Sequence, residues 1–440
     1  MLAACARGFG GVRVADPRDA SLAYAVDVTR LPTPALDDAE TWVARHLGDL
    51  ALEGADGVRA SRRFSGGQIA ADEALAGFDV RGYASRRNEV LPVEGRGASG
   101  LSPWIRHGLL PLPQVWDHVA GGPARDVNKF RDELLWQEYA RHVYARVGRR
   151  ITEPLRREPA VGHGWNGDPY PDDMACIAAV RRELVEDGWL VNQTRLWVAS
   201  QWTVRAGWAF REGERGLFRH LLDGSSAANG VGWQWAVGSG TGRPYGFSRW
   251  QVEKRAPGLC AGCPLRRACP IQHFPAASAG DRVSEAPGLA TDPDPEATAG
   301  PLAAETTGAP DAVWLTAESL GDDDPALAGR PDLPAVFVFD EPLLRALRLS
   351  GKRLVFLAEC LADLATRREV EVHRGSVTDI LHGRPLATTY APVPGFRTRA
   401  ARLDVVETHP WPWLRRPSGG SARSFTAWIG RHGGSPAHRR

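Results

Sequence analysis

Apolar residues in the first part of the chain recur at the spacing of amphipathic helices. Two series carry this pattern most clearly: Phe130, Leu134, Leu135 and Tyr139, and then Met174, Ile177, Val180 and Leu184. Residues three or four positions apart lie on one face of an α-helix, and Gly188 follows the second series as a helix-ending glycine would. The pattern predicts a large, mostly α-helical domain over residues 61–275, preceded by an N-terminal extension over residues 1–60.

After residue 311 the pattern changes to short strand runs separated by a helix. The runs AVWL, around Val313, and AVFVF, residues 335–339, precede EVEVH. The helical series between them is Leu354, Leu357, Leu361 and Leu364. Strands that alternate with helices are typical of a parallel sheet, so we predict a small α/β domain over residues 311–440. No glycine-rich loop opens its helices, and a Rossmann-type nucleotide site is not expected there.

Residues 276–310 separate the two predicted domains. This stretch consists mainly of Ala, Pro, Gly, Thr, Asp and Glu and contains only three Leu or Val residues. Such a composition cannot bury enough apolar surface to offset the conformational entropy that folding removes. The sequence therefore predicts a disordered linker.

The overall composition is that of a soluble globular protein. Hydrophobic residues make up 43% of the chain, and no apolar run approaches the roughly 20 residues that cross a bilayer. The first residues lack the basic and long apolar regions of a secretory signal, so we expect a cytoplasmic protein with no membrane contact. The net charge of +2 conceals an acidic stretch between Ala276 and Asp311, with seven acids and one base. The remainder is basic, which permits a nucleic-acid partner.

Three of the six cysteines form a C-x2-C-x5-C cluster: Cys260, Cys263 and Cys269. In a reducing compartment, cysteines this close together indicate a shared metal. One interpretation is zinc with His273 as the fourth ligand, but prolines directly after two of the cysteines also occur in iron–sulfur motifs. Cys5 and Cys360 lack this context, and Cys360 lies in an apolar helical series, which indicates a core thiol.

Five segments of the helical part are too particular to be core filler. LLDGSSAANGVGWQW, from Leu221 to Trp235, resembles the flavin-binding signature of the photolyase/cryptochrome family. The others match that family in its own order: FSGGQIAADEALAGF from Phe64, GASGLSPWIRHG from Gly97, ELLWQEYARH from Glu133 and GWLVNQTRL from Gly188. The resemblance covers about residues 60 to 250. It implies a FAD-binding domain of photolyase type.

The resemblance implies which residues hold the FAD diphosphate. They are Tyr83, Ser99, Leu101 and Ser102, acting through hydroxyl and backbone N–H groups. Such donors suit a buried dianion.

It also implies the residues around the isoalloxazine ring. Arg195 and Asp223 would form an ion pair beside the ring, and Asn229 would face its N5 atom. Three further positions complete the set: Gln137, Asn192 and Ser225. Gln137 stands where the family usually has an arginine, and Ser225 replaces the second aspartate of the DGD signature.

A substrate pocket follows from the same resemblance. Glu133, Trp136, Asn192 and Trp235 fall where the family contacts a flipped-out pyrimidine dimer, and they are the expected catalytic set. An aromatic wall and a carboxylate are what an extruded lesion requires. Val191 occupies the position of a histidine that (6-4) repair needs for proton transfer, which favours a cyclobutane dimer. The expected partner is damaged DNA, and the expected state is a monomer.

Sixteen tryptophans either fill the core or form an electron-transfer route. Trp233 matches the family's tryptophan nearest the flavin, but Phe210 stands where the next one normally lies. Trp208 or Trp202 would substitute for it.

Cys176 adds a fourth thiol to the cysteine cluster. It precedes Cys260 by 84 residues, the position and approximate separation of the bacterial photolyase branch that carries a 4Fe-4S cluster. The resemblance thus implies a cluster held by Cys176, Cys260, Cys263 and Cys269, with zinc as the alternative.

The α/β part resembles the family's antenna domain, which normally comes first. VWLTAESLGDDDPAL, AVFVFDEPLL, SGKRLVFLAECLADL and SFTAWIGR follow that domain's order after the flavin part. A circular permutation accounts for this order, with residues 276–310 as the new join. The charged opening motif of the antenna domain is absent, which leaves the antenna chromophore open.

The leading hypothesis is therefore a light-driven repair flavoprotein that splits cyclobutane dimers by electron transfer from reduced FAD. The alternative is a cryptochrome-like photoreceptor without repair activity. A third reading is a metal-containing DNA-binding protein without photochemistry.

Overall fold

The computed structural model describes residues 29–162 and 164–430, so Cys5 lies outside it. The helices of the first half are α1 (Ala39–Leu47), α2 (Gln68–Ala76), α3 (Tyr83–Arg86), α4 (Ser102–Arg106), α5 (Leu112–His118), α6 (Ala124–Val147), α7 (Ala175–Asp187), α8 (Asn192–Ala199), α9 (Phe210–His220), α10 (Ser226–Ala236) and α11 (Arg249–Arg255). A π-helical segment, Ser200–Arg205, joins α8 and α9. Among the described helices, none is long and apolar enough to cross a membrane.

The two apolar series lie on α6 and α7, buried as their spacing predicts. Helix α7 ends at Gly188, which has a φ of 68° and whose N–H donates to Leu184 O. A residue with a side chain rarely adopts this left-handed conformation, so glycine ends the helix. Helix α6 packs against α10.

One mixed sheet forms the centre of the second half. Its strands are β1 (Thr29–Leu31), β2 (Glu305–Thr306), β3 (Ala312–Leu315), β4 (Ala335–Asp340), β5 (Val370–Gly375), β6 (Leu386–Thr389) and β7 (Val405–His409), in the spatial order β1-β5-β4-β3-β6-β7-β2. The five inner strands pair in parallel, and β1 and β2 pair antiparallel at the edges. The sheet is thus mixed, not purely parallel as predicted. Its edge strands are too short to give a sequence signal.

The helices after α11 are α12 (Pro287–Ala290), α13 (Pro295–Ala299), α14 (Pro325–Gly329), α15 (Glu341–Leu347), α16 (Gly351–Ala365), α17 (Val377–Ile380), α18 (Pro394–Ala400) and α19 (Phe425–Gly430). Helix α16 is buried along most of its length, with Cys360 in its core-facing series, as expected of a core thiol.

Residues 29–60 differ from the predicted extension because they are built into the α/β half. Strand β1 pairs with β5, and Trp42 on α1 lies against Phe339, with 5.8 Å between ring centroids. Arg374 Nη2 and Asp49 Oδ2 are 2.8 Å apart. These contacts join segments more than 290 residues apart, which local sequence patterns cannot indicate.

In the structure, residues 276–310 pack against the rest of the protein, where the sequence predicted a disordered linker. The segment contains α12, α13 and β2, and Asp292 forms a buried ion pair with Arg146 of α6, with 3.2 Å from Oδ2 to Nε. Tyr390 Oη donates to Thr298 O at 3.0 Å, and Trp413 Nε1 donates to Ala299 O at 2.8 Å. Polar contacts to the rest of the protein replace the apolar burial that the composition lacks.

Carboxyl groups of α16, in the α/β half, accept hydrogen bonds from backbone N–H groups at the start of α2, in the helical half. Gly66 N donates to Glu359 Oε2 at 2.6 Å, and Gln68 N donates to Asp363 Oδ2 at 2.7 Å. A Cβ on Gly66 would lie 2.2 Å from Phe356 O, so only glycine allows this approach. The free N–H groups of α2 are thus satisfied by carboxylates from the other half.

We expect the Glu359→Gln variant to lose less stability than the wild type as the pH rises from about 5 to 7. Burial raises the pKa of Glu359 from 4.5 to about 7. In this window the native protein holds a proton that the unfolded chain has released, so native stability falls with rising pH. Glutamine stays neutral and can still accept from Gly66 N–H. Urea unfolding at several pH values measures both slopes.

The Glu371→Gln variant is the matched control with the opposite sign. The Arg384 guanidinium lowers the pKa of Glu371, so this variant should be destabilised mainly near neutral pH, and the loss should shrink as the pH falls. Parallel stability curves for the wild type and Glu359→Gln would contradict the first expectation.

Candidate functional site

A buried ion pair connects α8 with the turn before α10. Arg195 Nη2 donates to Asp223 Oδ2 at 2.7 Å, and Arg195 Nε donates to Leu190 O at 2.9 Å. Asp223 is only 7% exposed, and its Oδ1 has no hydrogen-bond partner among the described residues. A buried carboxylate oxygen without a partner is costly unless a ligand satisfies it.

Two arginines hold the turn that carries Asp223. Gly224 O accepts from Arg106 Nε and from Arg353 Nη2, both at 3.0 Å. Arg106 also pairs with Glu318, with 2.8 Å from Nη1 to Oε1. Burial lowers the pKa of Arg353 to about 9. Sequence reasoning missed both arginines; a charged residue in the buried series of α16 was the one available signal.

Asn229 supplies a second unsatisfied polar atom on α10. Its side chain is 7% exposed, and Nδ2 has no partner in the part of the chain that the structure describes. Its backbone N donates to Ser225 O at 2.8 Å. Ser225 precedes α10 with an extended backbone, but its side chain makes no capping hydrogen bond. One orphan acceptor and one orphan donor, six residues apart, fit a polar ligand.

The predicted diphosphate residues lie on α3 and on residues 99–102, and Gly97 N donates to Arg86 O of α3 at 3.0 Å. Leu101 N donates to Ser99 Oγ at 3.4 Å, and Ser102 Oγ accepts from Trp189 Nε1 at 2.9 Å. Trp189 immediately precedes Leu190, whose carbonyl Arg195 contacts, so residues 99–102 approach the ion pair. Tyr83 is buried on α3, where its ring lies edge-on to Phe130 at 4.9 Å.

Glu133, Trp136 and Gln137 lie on one stretch of α6 and are all half-buried. Glu133 Oε1 lies 2.7 Å from Lys129 Nζ and 3.3 Å from Arg87 Nε. Trp136 stacks on Phe425 of α19, with 4.1 Å between ring centroids. Sequence reasoning did not connect Phe425 with this site.

Trp235 and Gln193, the residue after Asn192, approach the same tyrosine. Gln193, next to the exposed Asn192, donates through Nε2 to Tyr245 Oη at 2.5 Å. The Trp235 ring is 39% exposed and lies 6.1 Å from the Tyr245 ring. Trp235 lies on α10 and Trp136 lies on α6, and these two helices pack against each other. The two parts of the predicted pocket are therefore on neighbouring helices.

Three tryptophans lead from the core to the surface. A Cβ on Gly213 would lie 2.4 Å from Trp233 Cη2 and 2.7 Å from Trp202 Cδ1, so both rings reach the space beside this glycine. Trp202 is edge-on to Trp208 at 4.9 Å, and Trp208 is 36% exposed. Trp202 lies in the π-helical segment, a form that often occurs at functional sites.

The four cysteines Cys176, Cys260, Cys263 and Cys269 line one small recess that is open to solvent. Cys176 is buried and the other three are half-buried. His273 is exposed and is not among the lining residues. Burial raises the pKa of Cys176 to about 12, so the thiol needs a metal to ionise at neutral pH. Among the described residues, no three ligands are close enough together to hold a single ion.

Part of this chain is similar to known proteins. Residues 130–254 match the family profile described as the FAD binding domain of DNA photolyase. A deoxyribodipyrimidine photo-lyase of Synechococcus sp. is 30% identical over 190 residues, which are 38% of this chain and 36% of that protein. The chain thus spans about a third of the length of the curated relatives it matches.

Two solved structures are also similar over part of the chain. A class III photolyase of Agrobacterium tumefaciens has a TM-score of 0.37 and 25% identity, over 43% of this chain and 42% of that one. A cryptochrome of Synechocystis sp. has a TM-score of 0.40 and 22% identity, over 45% of each. The profile and sequence matches support the photolyase/cryptochrome family, with a photolyase-type FAD-binding domain.

We expect Gly213→Ala to destabilise the protein by about 1–3 kcal/mol, because the new methyl group overlaps two buried tryptophan rings. Gly232→Ala is the matched control on α10. A Cβ there meets nothing within 4 Å, so this variant should be more stable than the wild type by about 0.5–1 kcal/mol. Urea unfolding measures both changes. Equal stabilisation by the two alanines would refute the close approach of the rings.

Proposed function

We propose that this protein is a light-driven DNA repair enzyme that splits cyclobutane pyrimidine dimers with bound FAD. The observation that carries the proposal is the buried Arg195–Asp223 pair beside two unsatisfied polar atoms, within a domain of photolyase type. Buried polar atoms in proteins usually have hydrogen-bond partners, so Asp223 Oδ1 and Asn229 Nδ2 are candidates for contact with a ligand.

The chain's residues fit FAD. Those that would hold it are Tyr83, Ser99, Leu101, Ser102, Gln137, Asn192, Arg195, Asp223, Ser225 and Asn229. Asp223 Oδ1 offers an acceptor and Asn229 Nδ2 a donor, which suits a ring system with both N–H groups and bare nitrogens. Arg195 orients Asp223 through a hydrogen bond, and Arg106 and Arg353 donate to Gly224 O in the turn beside it. When bound and reduced, FAD supplies the electron that opens the dimer.

The proposed lesion pocket consists of Glu133, Trp136, Asn192 and Trp235. Trp136 and Trp235 are partly exposed aromatic surfaces on two packed helices, and aromatic side chains stack on extruded bases. Glu133 pairs with Lys129 and Arg87 and would accept hydrogen bonds from a base edge. Damaged DNA is the proposed partner.

The lesion type follows from Val191. Its side chain is fully buried and apolar, so it can neither give nor take a proton. Because (6-4) repair requires a proton donor at this position, we favour the cyclobutane dimer as substrate.

The tryptophan series supports a route for reducing the flavin. Trp202 Nε1 donates to Ala209 O at 2.9 Å inside the core, so an oxidised Trp202 has no easy way to lose its proton. Trp208 is partly exposed and can release one to water. We therefore propose that Trp233 reduces the flavin, that Trp202 reduces Trp233, and that Trp208 reduces Trp202. This route replaces the one that would pass through the position of Phe210.

We propose that the cysteine recess holds a 4Fe-4S cluster. Each cysteine of such a cluster ligates a different iron, so the four sulfurs need not converge on one point. Cys176, Cys260, Cys263 and Cys269 line one recess and His273 does not, which favours four thiolates over zinc with His273.

We also propose that the domain order is a circular permutation of the family's usual order. The five parallel strands follow the helical domain in the chain, and β3 occupies the middle of the sheet with its successors on both sides. This is a doubly wound sheet that starts at β3. Strands β1 and β2 come from the segments before and between the halves and cover its edges.

The purified protein with bound FAD should reverse a single cyclobutane thymine dimer in a duplex oligonucleotide under blue light and not in the dark, as chromatography of the digested DNA would measure. The Asp223→Asn variant should bind FAD at least tenfold more weakly, because Arg195 loses its buried countercharge. The exposed Asp379→Asn is the control and should match the wild type.

Reducible FAD without any dimer reversal would reject the enzyme and favour the photoreceptor alternative, in which the flavin and the tryptophan series serve signalling. Protein that takes up no FAD would reject both.

Removing one cysteine tests the cluster. Cys176→Ala should lower the iron content from about four per chain and abolish the visible absorption that dithionite bleaches. Cys360→Ala removes a buried thiol outside the recess and should leave both unchanged. Full iron content in Cys176→Ala, or zinc in the wild type, would contradict the proposal.

A further inference from the structure

The C-terminal helix α19 packs on the part of α6 that carries Trp136. The rings of Phe425 and Trp136 are nearly parallel, with 9° between their planes and 4.1 Å between their centroids. Tyr139 lies edge-on to Trp136 at 5.6 Å. Phe425 is buried, whereas Trp136 is half-buried. Phe425 thus covers one face of the indole, and part of the indole remains accessible.

Separate contacts fix the position of α19. Tyr139 Oη donates to Ala422 O at 2.9 Å, and Trp428 Nε1 donates to His142 Nδ1 at 2.9 Å. Ala422 N donates to Leu289 O at 2.8 Å. Phe425 therefore meets Trp136 from a segment that is anchored on both sides of the stack.

The stack has a consequence for ligand binding. A tryptophan on a helix surface can turn about two side-chain torsions, and a ligand that stacks on it must freeze that rotation. Phe425 packs on one face of the Trp136 ring and Tyr139 lies at its edge. The rotation of Trp136 is therefore already restricted in the folded protein, before a ligand binds. A ligand meets an indole that already has its bound orientation.

We propose that Phe425 is a positioning residue for the lesion pocket: it holds Trp136 so that the opposite face of the indole stacks on an extruded pyrimidine base. This rests on the proposed function. The proposed lesion pocket then depends on Trp136 of α6 and on Phe425, almost 290 positions later in the chain.

Phe425→Leu tests the role because it keeps an apolar side chain and removes the stacked ring. The dissociation constant for a dimer-containing oligonucleotide should rise several-fold, up to about tenfold, the usual range for an aromatic pair. Binding of the undamaged oligonucleotide should not change, because phosphate contacts dominate it. Phe425→Tyr, which restores a ring, should restore affinity.

Trp428→Phe is the control for undocking of the helix, because it loses the hydrogen bond to His142 and leaves the Phe425–Trp136 stack in place. It should bind the dimer like the wild type. A readout without DNA comes from 5-fluorotryptophan labelling, with the Trp136 resonance assigned by Trp136→Phe. The upfield ring-current shift should be present in the wild type and lost in Phe425→Leu.

Wild-type affinity for the dimer in Phe425→Leu, or equal losses in Phe425→Leu and Trp428→Phe, would overturn the role of the stack. A wild type that does not distinguish damaged from undamaged DNA would instead reject the proposed function, and the lesion role of Phe425 with it.

Discussion

The carbonyl oxygen of Gly224 is one point at which the two halves of this protein meet. It accepts hydrogen bonds from Arg106 of the helical half and from Arg353 of α16. A buried guanidinium must have acceptors close by, because an unpaired charge in an apolar interior costs several kcal/mol. Helix α16 of the α/β half thus contacts the turn that carries Asp223, although neither member of the Arg195–Asp223 pair comes from that half.

Helix α6 plays a similar role on the other side of the molecule. Along its length, Trp136 stacks on Phe425, Tyr139 donates to Ala422 O, and Arg146 pairs with Asp292. The partners come from two segments that follow the helical half in the chain. One long helix thereby contacts both residues 276–310 and helix α19, and two of the four residues proposed to meet DNA, Glu133 and Trp136, lie on it.

The π-helical segment connects two further features. Trp202 points toward Gly213 and Trp208, whereas Arg205 donates to Phe247 O and His273 O, beside the loop of the cysteine recess. The π-helical segment Ser200–Arg205 thus carries Trp202 of the proposed electron route at one position and contacts the loop of the proposed cluster site through Arg205. Glycine at position 213 lies inside a helix, where it costs stability, because the two tryptophan rings need its space.

The sequence alone determined the elements whose signals are local. The apolar series placed α6 and α7, and the strand runs placed β3 and β4. The resemblance of two segments to a known family singled out Arg195 and Asp223, which form a hydrogen bond in the structure. The sequence could not reveal how residues 276–310 fold, because these residues contact Arg146 and other distant partners. Nor could it reveal the roles of Arg353 and Phe425. A side chain more than a hundred residues away leaves no periodicity, and only the tertiary packing decides which carbonyl or ring it meets.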